Sequence, residues 1–303
     1  VLELNQIQRI ALLFLVAQAL GVFVGVSLTV FEQTAAVPEI SQMNIAPPGG
    51  SDSPVTSLLF LGSMMMGAVF ILLLLKYYKG ALLFRLLESV TLFAASNIVF
   101  LVLFAWPLYQ YGEAGTSAAI VGAFFASLLF TAAKFFLPAL RNPAAVVASA
   151  GVGAVFGFSL DFFPAVLFAF GLSVYDFIAV FWTRHMVYMA RELAGKNLAF
   201  SIAASEPGPK KAAGKEGKGK RSTLELGTGD IVVPILLAVS AYRISFNLLD
   251  SAAIIAGSLA GLMLVLWYVS TRRTFLPALP PLTTAALASL VIARGIAMMF
   301  AGW

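Results

Sequence analysis

Apolar runs of about 20 residues, separated by polar connections, recur along the chain, and about 20 helical residues cross a hydrocarbon core near 30 Å thick. The pattern predicts nine helical spans, near residues 10–31, 55–76, 84–108, 117–137, 143–160, 163–184, 226–242, 250–270 and 281–300. Within lipid each must satisfy its own backbone. The expected class is all-α: a polytopic membrane protein with about nine transmembrane helices. Residues 1–303 are expected to form one membrane unit, with six spans over about 10–184, a polar connection over about 185–225, and three spans over about 226–300. The first run is too long for a signal-peptide core and follows no basic segment, so it is expected to be a retained span.

Composition strengthens this picture: 60% of residues are hydrophobic, 11% are charged, and mean hydropathy is +0.95. The net charge of +5 does not imply nucleic acid, because Lys and Arg gather in the connections. Counted by side, 17 of the 19 fall with the N-terminus and the even-numbered connections; Arg243 and Arg294 fall opposite. The positive-inside rule then places the N-terminus in the cytoplasm. With no cysteine there is no disulfide framework and no thiol chemistry. The one histidine, His185, cannot make a zinc pair. At a span boundary beside Arg184 it reads as solvated rather than as a serine protease's base. No cofactor or metal is expected.

The connection at 185–225 begins "HMVYMARELAGKNLAF", a candidate interfacial helix, and continues "EPGPKKAAGKEGKGKR", which is too polar to build a core. Gly214, Gly219 and Lys220 have the spacing of a phosphate-binding loop, but Arg221 stands where a magnesium-binding hydroxyl belongs and no strand precedes it. A solvated linker is the expectation.

Most carboxylates lie in connections or at span ends. Glu88 is expected to pair with Arg85 three residues earlier. Asp176 and Asp230 remain, and acids inside spans are functional candidates by default. Asp176 lies about 12 Å from Arg184, and Asp230 about 7 to 8 Å from Glu225, at 1.5 Å per helical residue. In antiparallel helices these depths match. Two adjacent carboxylates in a poor dielectric cannot both ionise, so they share a proton. The ionised member activates a water, and the neutral member protonates the carbonyl oxygen and then the leaving amine. The pair acts as a unit, so neither Asp is assigned as the base.

A substrate helix must unwind before its carbonyls can be attacked. "LPALPP" at 276–281 supplies irregular backbone at a similar depth, because proline removes donors and bars a regular helix. Gly227 and Gly229 permit close approach to Asp230. "RSTLEL" at 221–226 alternates and could pair as a strand with an unwound substrate.

These motifs resemble those of the presenilin and signal peptide peptidase family of intramembrane aspartyl proteases. Tyr175-Asp176 is similar to that family's Tyr-Asp in span six, Gly227-Thr228-Gly229-Asp230 to its Gly-x-Gly-Asp in span seven, and Pro277-Ala278-Leu279 to its Pro-Ala-Leu before span nine. The order matches over essentially the whole chain. The resemblance implies that Asp176 and Asp230 are the catalytic pair and that Pro277, Ala278 and Leu279 shape the site, with Tyr175 packed at it. It also implies transmembrane-helix substrates, including signal-peptide remnants, within a lipid bilayer. Thr228 departs from the apolar residue common there. Pro280 and the N-terminal orientation are closer to presenilin. No accessory subunit is indicated, and a homo-oligomer stays open. A prokaryotic cell membrane is a compatible location. A prepilin-peptidase-like protease, a transporter relaying protons through the same acids, and a noncatalytic scaffold are the alternatives.

Overall fold

The computed structural model describes residues 2–34, 54–77, 82–181, 201–204, 224–272 and 277–301. Arg184, His185, the candidate interfacial helix, the lysine-rich stretch and most of the acidic first connection lie outside them.

Among the described residues stand nine helices: α1 (Leu2–Thr34), α2 (Pro54–Tyr77), α3 (Leu82–Leu108), α4 (Gly112–Phe136), α5 (Arg141–Ser159), α6 (Phe162–Phe181), α7 (Thr228–Ser245), α8 (Leu248–Arg272) and α9 (Leu279–Ala301). Seven stretches are long and apolar enough to cross a membrane, one of which, Leu82–Phe136, holds both α3 and α4. A single 3₁₀ turn, Tyr109–Tyr111, separates those two. α4 therefore begins ahead of the expected residue 117. Glu113 stands in its first turn, where the helix dipole favours a carboxylate.

α7 is the axis of the fold. Residue 231 and residues 233–241 are all buried. Two glycine pairs at four-residue spacing let neighbouring helices approach it closely, as small residues do between membrane helices. On α1, a Cβ added at Gly21 would sit 2.6 Å from Ile235 Cγ2, and one at Gly25 would sit 2.3 Å from Val239 Cγ2. On α5, Gly153 meets Ile235 and Val232, and Gly157 meets Val239 and Leu236. Position numbers rise together in both contacts, so α1, α5 and α7 run parallel. Gly257 and Gly261 of α8 bring α9 close in the same way, while Ser173 and Thr283, 2.9 Å apart, join α6 to α9.

Two short strands accompany the helices: β1 (Ser201–Ala204) pairs antiparallel with β2 (Leu224–Gly227), Ser201 opposite Gly227. The expected start of a span at 226 is thus corrected. The alternating residues before Asp230 stay extended through Gly227 (φ −65°, ψ 143°), and α7 begins at Thr228.

Charged groups are paired across helices. Glu88 bonds Lys134 of α4 rather than forming the expected local pair, and both are buried. Arg294, counted from the sequence as lying at an outer end, is inside α9 and donates to Asp250 of α8 at 2.8 Å. Arg243 lies 3.4 Å from Asp161 and donates to the Phe158 carbonyl at 2.5 Å.

Candidate active site

Asp176 sits on α6, buried on the face turned toward α9. The Leu279 N–H donates to its Oδ2 at 3.3 Å, and the Ala278 N–H also faces the carboxylate. These donors exist because of the prolines. Pro277 and Ala278 are non-helical, Leu279 opens α9, and Pro280 and Pro281 fill its first turn. Proline is tolerated there because the first N–H groups of a helix have no internal acceptor anyway. The freed Leu279 donor is spent on Asp176. One turn on, the Thr283 hydroxyl donates to the Leu279 carbonyl at 2.9 Å, so both backbone groups of Leu279 are committed.

Asp230 is the third residue of α7, whose N-cap is Gly227. A carboxylate three residues after the cap reaches back to the cap's N–H, as in a capping box, and the Gly227 N–H does face Asp230. The helix dipole adds to this support. The sequence estimate of depth treated residues 225–230 as helix; because 224–227 are strand, Asp230 lies in the first turn instead. The Asp176 carboxylate is within Coulombic reach of Asp230.

The remaining expected residues gather here in part. Tyr175 is half-buried beside Asp176, and Pro277 and Leu279 are buried. Gly229 is exposed, and a Cβ there would meet nothing within 4 Å; one on Gly227 would make only ordinary contact, 3.4 Å, with Asp230 Oδ2. Their lack of side chains thus leaves room beside the carboxylates rather than letting neighbouring helices in.

A cavity of about 440 Å³ opens at this edge. Thr228, Gly229 and Leu279 line it next to the acids, while Phe60, Phe156 and Phe168 line its apolar walls and Glu88 contributes a polar spot. Among the described residues no cluster of three His, Cys, Asp or Glu is arranged to hold a metal. Sequence reasoning missed Gln18, fully buried in α1, whose Nε2 donates to the Ile231 carbonyl at 3.0 Å. The available signal was a lone amide in an otherwise apolar run.

Comparison with known proteins accords with this geometry. The family profile described as signal-peptide peptidase, presenilin aspartyl protease matches residues 13–300. No curated protein matches the chain by sequence. Two solved structures, each described as a presenilin family intramembrane aspartate protease, share the fold. The one in space group C222 has a TM-score of 0.65 at 23% identity, covering 96% of this chain and 99% of its own. The one in P2 has a TM-score of 0.61 at 24% identity, covering 94% and 96%. Between the family match and the helices that cross a membrane, the chain is a multi-pass membrane protein and an aspartic endopeptidase, and it belongs to the signal-peptide peptidase and presenilin family.

Proposed function

We propose that the protein hydrolyses peptide bonds within single transmembrane helices, using Asp176 and Asp230 as one acid–base pair. The observation that carries this reading is that the two carboxylates lie within Coulombic reach of each other, each faced by a backbone N–H at the start of a helix. One proton is shared. The ionised member takes a proton from a water that attacks the scissile carbonyl, while the neutral member gives its proton to the carbonyl oxygen; on collapse the proton taken from the water passes to the departing amine, and the gem-diol hydroxyl returns the other, restoring the pair. Pro277, Ala278 and Leu279 hold Asp176, and Gly227, Thr228 and Gly229 hold Asp230 and border the space beside it. Tyr175 packs against the pair.

The substrate is apolar, in keeping with the phenylalanine-lined cavity that ends at Thr228 and Leu279. An unwound substrate segment leaves backbone groups to be satisfied. β2 pairs with β1 on one side; its C-terminal end runs into the first turn carrying Asp230, and an extended segment can add as a further strand along its other edge. The N-terminus faces the cytoplasm in this reading, in line with the charge count.

The test is cleavage of a labelled single-span substrate in proteoliposomes by wild type, Asp176→Asn and Asp230→Asn. Both variants are expected to lose cleavage; activity surviving in either removes the two-acid mechanism. Proton-coupled uptake without cleavage would instead support a transporter.

A further inference from the structure

The two carboxylates are not held equally well within their own helices. Asp176 lies inside α6, which continues to Phe181. Asp230 lies in the first turn of α7, and Pro234 follows four residues later. Proline has no N–H and crowds the carbonyl of the residue four before it, so the Asp230 carbonyl lacks its ordinary α-helical donor. The turn that carries Asp230 is therefore tied to the rest of α7 by an incomplete ladder. On its N-terminal side is the strand β2, and the Cβ direction of Gly229 is open space.

Gln18 binds at this weak place. Its Nε2 donates to the carbonyl of Ile231, the residue after Asp230. Gln18 is fully buried, and it lies on the same face of α1 as Gly21 and Gly25, which seat against Ile235 and Val239. The bond therefore crosses between two helices already in tight register, and its geometry is fixed from both sides. Gln18 Oε1 is buried without a hydrogen-bond partner. A buried leucine or methionine would avoid that cost, so the amide's presence is explained by what Nε2 does.

We propose that Gln18 is a positioning residue, which fixes the first turn of α7 from α1 and so holds Asp230 at the distance from Asp176 that catalysis needs. The inference rests on the two-acid reading above. It acts on geometry and not on substrate, so its loss acts on the transition state and leaves substrate binding unchanged.

The test uses the full-length protein in proteoliposomes with the labelled single-span substrate. Gln18→Met keeps the volume and removes the donor. It is expected to lower kcat about five- to ten-fold, the scale of a single interhelical hydrogen bond in a membrane, with KM unchanged within about two-fold. Affinity for a peptide carrying a hydroxyl isostere of the tetrahedral intermediate should fall by the same factor as kcat. Gln18→Glu, whose neutral carboxyl can donate to Ile231, should recover activity toward acidic pH. A Gln18→Met enzyme with wild-type kcat overturns the proposal. So does a loss of kcat that only tracks the fraction folded, with isostere affinity intact in the folded molecules. Wild type and Asp230→Asn run alongside: cleavage surviving in Asp230→Asn sinks the two-acid reading itself, whereas its abolition with Gln18→Met unaffected sinks only the role of Gln18.

Discussion

Consider adding one methyl group where α5 meets α7. In Gly153→Ala the new Cβ would lie 2.7 Å from Ile235 Cβ, 2.8 Å from its Cγ2 and 3.1 Å from the Val232 carbonyl oxygen. Rotation of the fully buried Ile235 side chain cannot relieve this, because its Cβ is fixed by the backbone. Ordinary contact begins at 3.4 Å, so the helices must part by about 0.7 Å, enough to forfeit a quarter to a half of the dispersion attraction of the atoms involved. Overpacking of this kind costs about 1–3 kcal/mol. Alanine returns about 1 kcal/mol of helix propensity, leaving a net loss of up to about 2 kcal/mol. Gly295→Ala on α9 is the matched control: its Cβ meets nothing within 4 Å, so only the propensity gain applies. Reversible unfolding in mixed micelles, with denaturing detergent as titrant, should place Gly153→Ala below wild type and Gly295→Ala at or slightly above it. Gly153→Ala should also lose more kcat than its folded fraction explains, because Asp230 rides on the helix that moves. Equal midpoints for the two variants would refute the claim that close approach of α5 governs the position of α7.

Glu88→Gln removes the carboxylate beside buried Lys134 and should cost about 3–5 kcal/mol in the same titration, while the double variant Glu88→Leu/Lys134→Met should recover most of it. Arg294→Ala breaks a pair whose guanidinium is 44% exposed but whose carboxylate is only 9% exposed; it should cost about 1–3 kcal/mol, less than Glu88→Gln, and leave cleavage unchanged. Gly229→Ala should leave stability at or slightly above wild type yet raise KM about ten-fold, since the added methyl points into the open space proposed for substrate. The pH profile of kcat/KM should be bell-shaped: the acid limb is lost as the ionised Asp is protonated, the basic limb as the shared proton leaves. A flat profile through the acidic range would count against the pair.

The helical class, the order of the runs and the two acids were legible because they follow from local pattern: run length, a charge out of place, and short motifs in register. What escaped depends on contacts between distant positions. Glu88 had Arg85 three residues away, but folding presents Lys134 of α4 across the helix pair. Arg294 looked terminal by its charge, but from inside α9 it meets Asp250 of α8. The strand at 224–227 is only four residues long and earns its hydrogen bonds from Ser201–Ala204, a partner about twenty positions away across a polar stretch. Gln18 carries no periodic signal at all. The puzzle of Thr228 is reduced to a place: it lines the cavity beside Leu279.

The enclosure of α7 also bears on how the chain enters the bilayer. α5 and α7 have the lowest mean hydropathy of the crossing segments, 1.3 each, against 2.4 for the first. A helix bearing a carboxylate and a proline is a poor lodger among lipid tails. It is synthesised, however, after both of its glycine-faced neighbours, α1 and α5. The order of translation thus makes the socket before the plug, and one of the two least apolar crossing segments arrives where a protein surface is waiting to receive it.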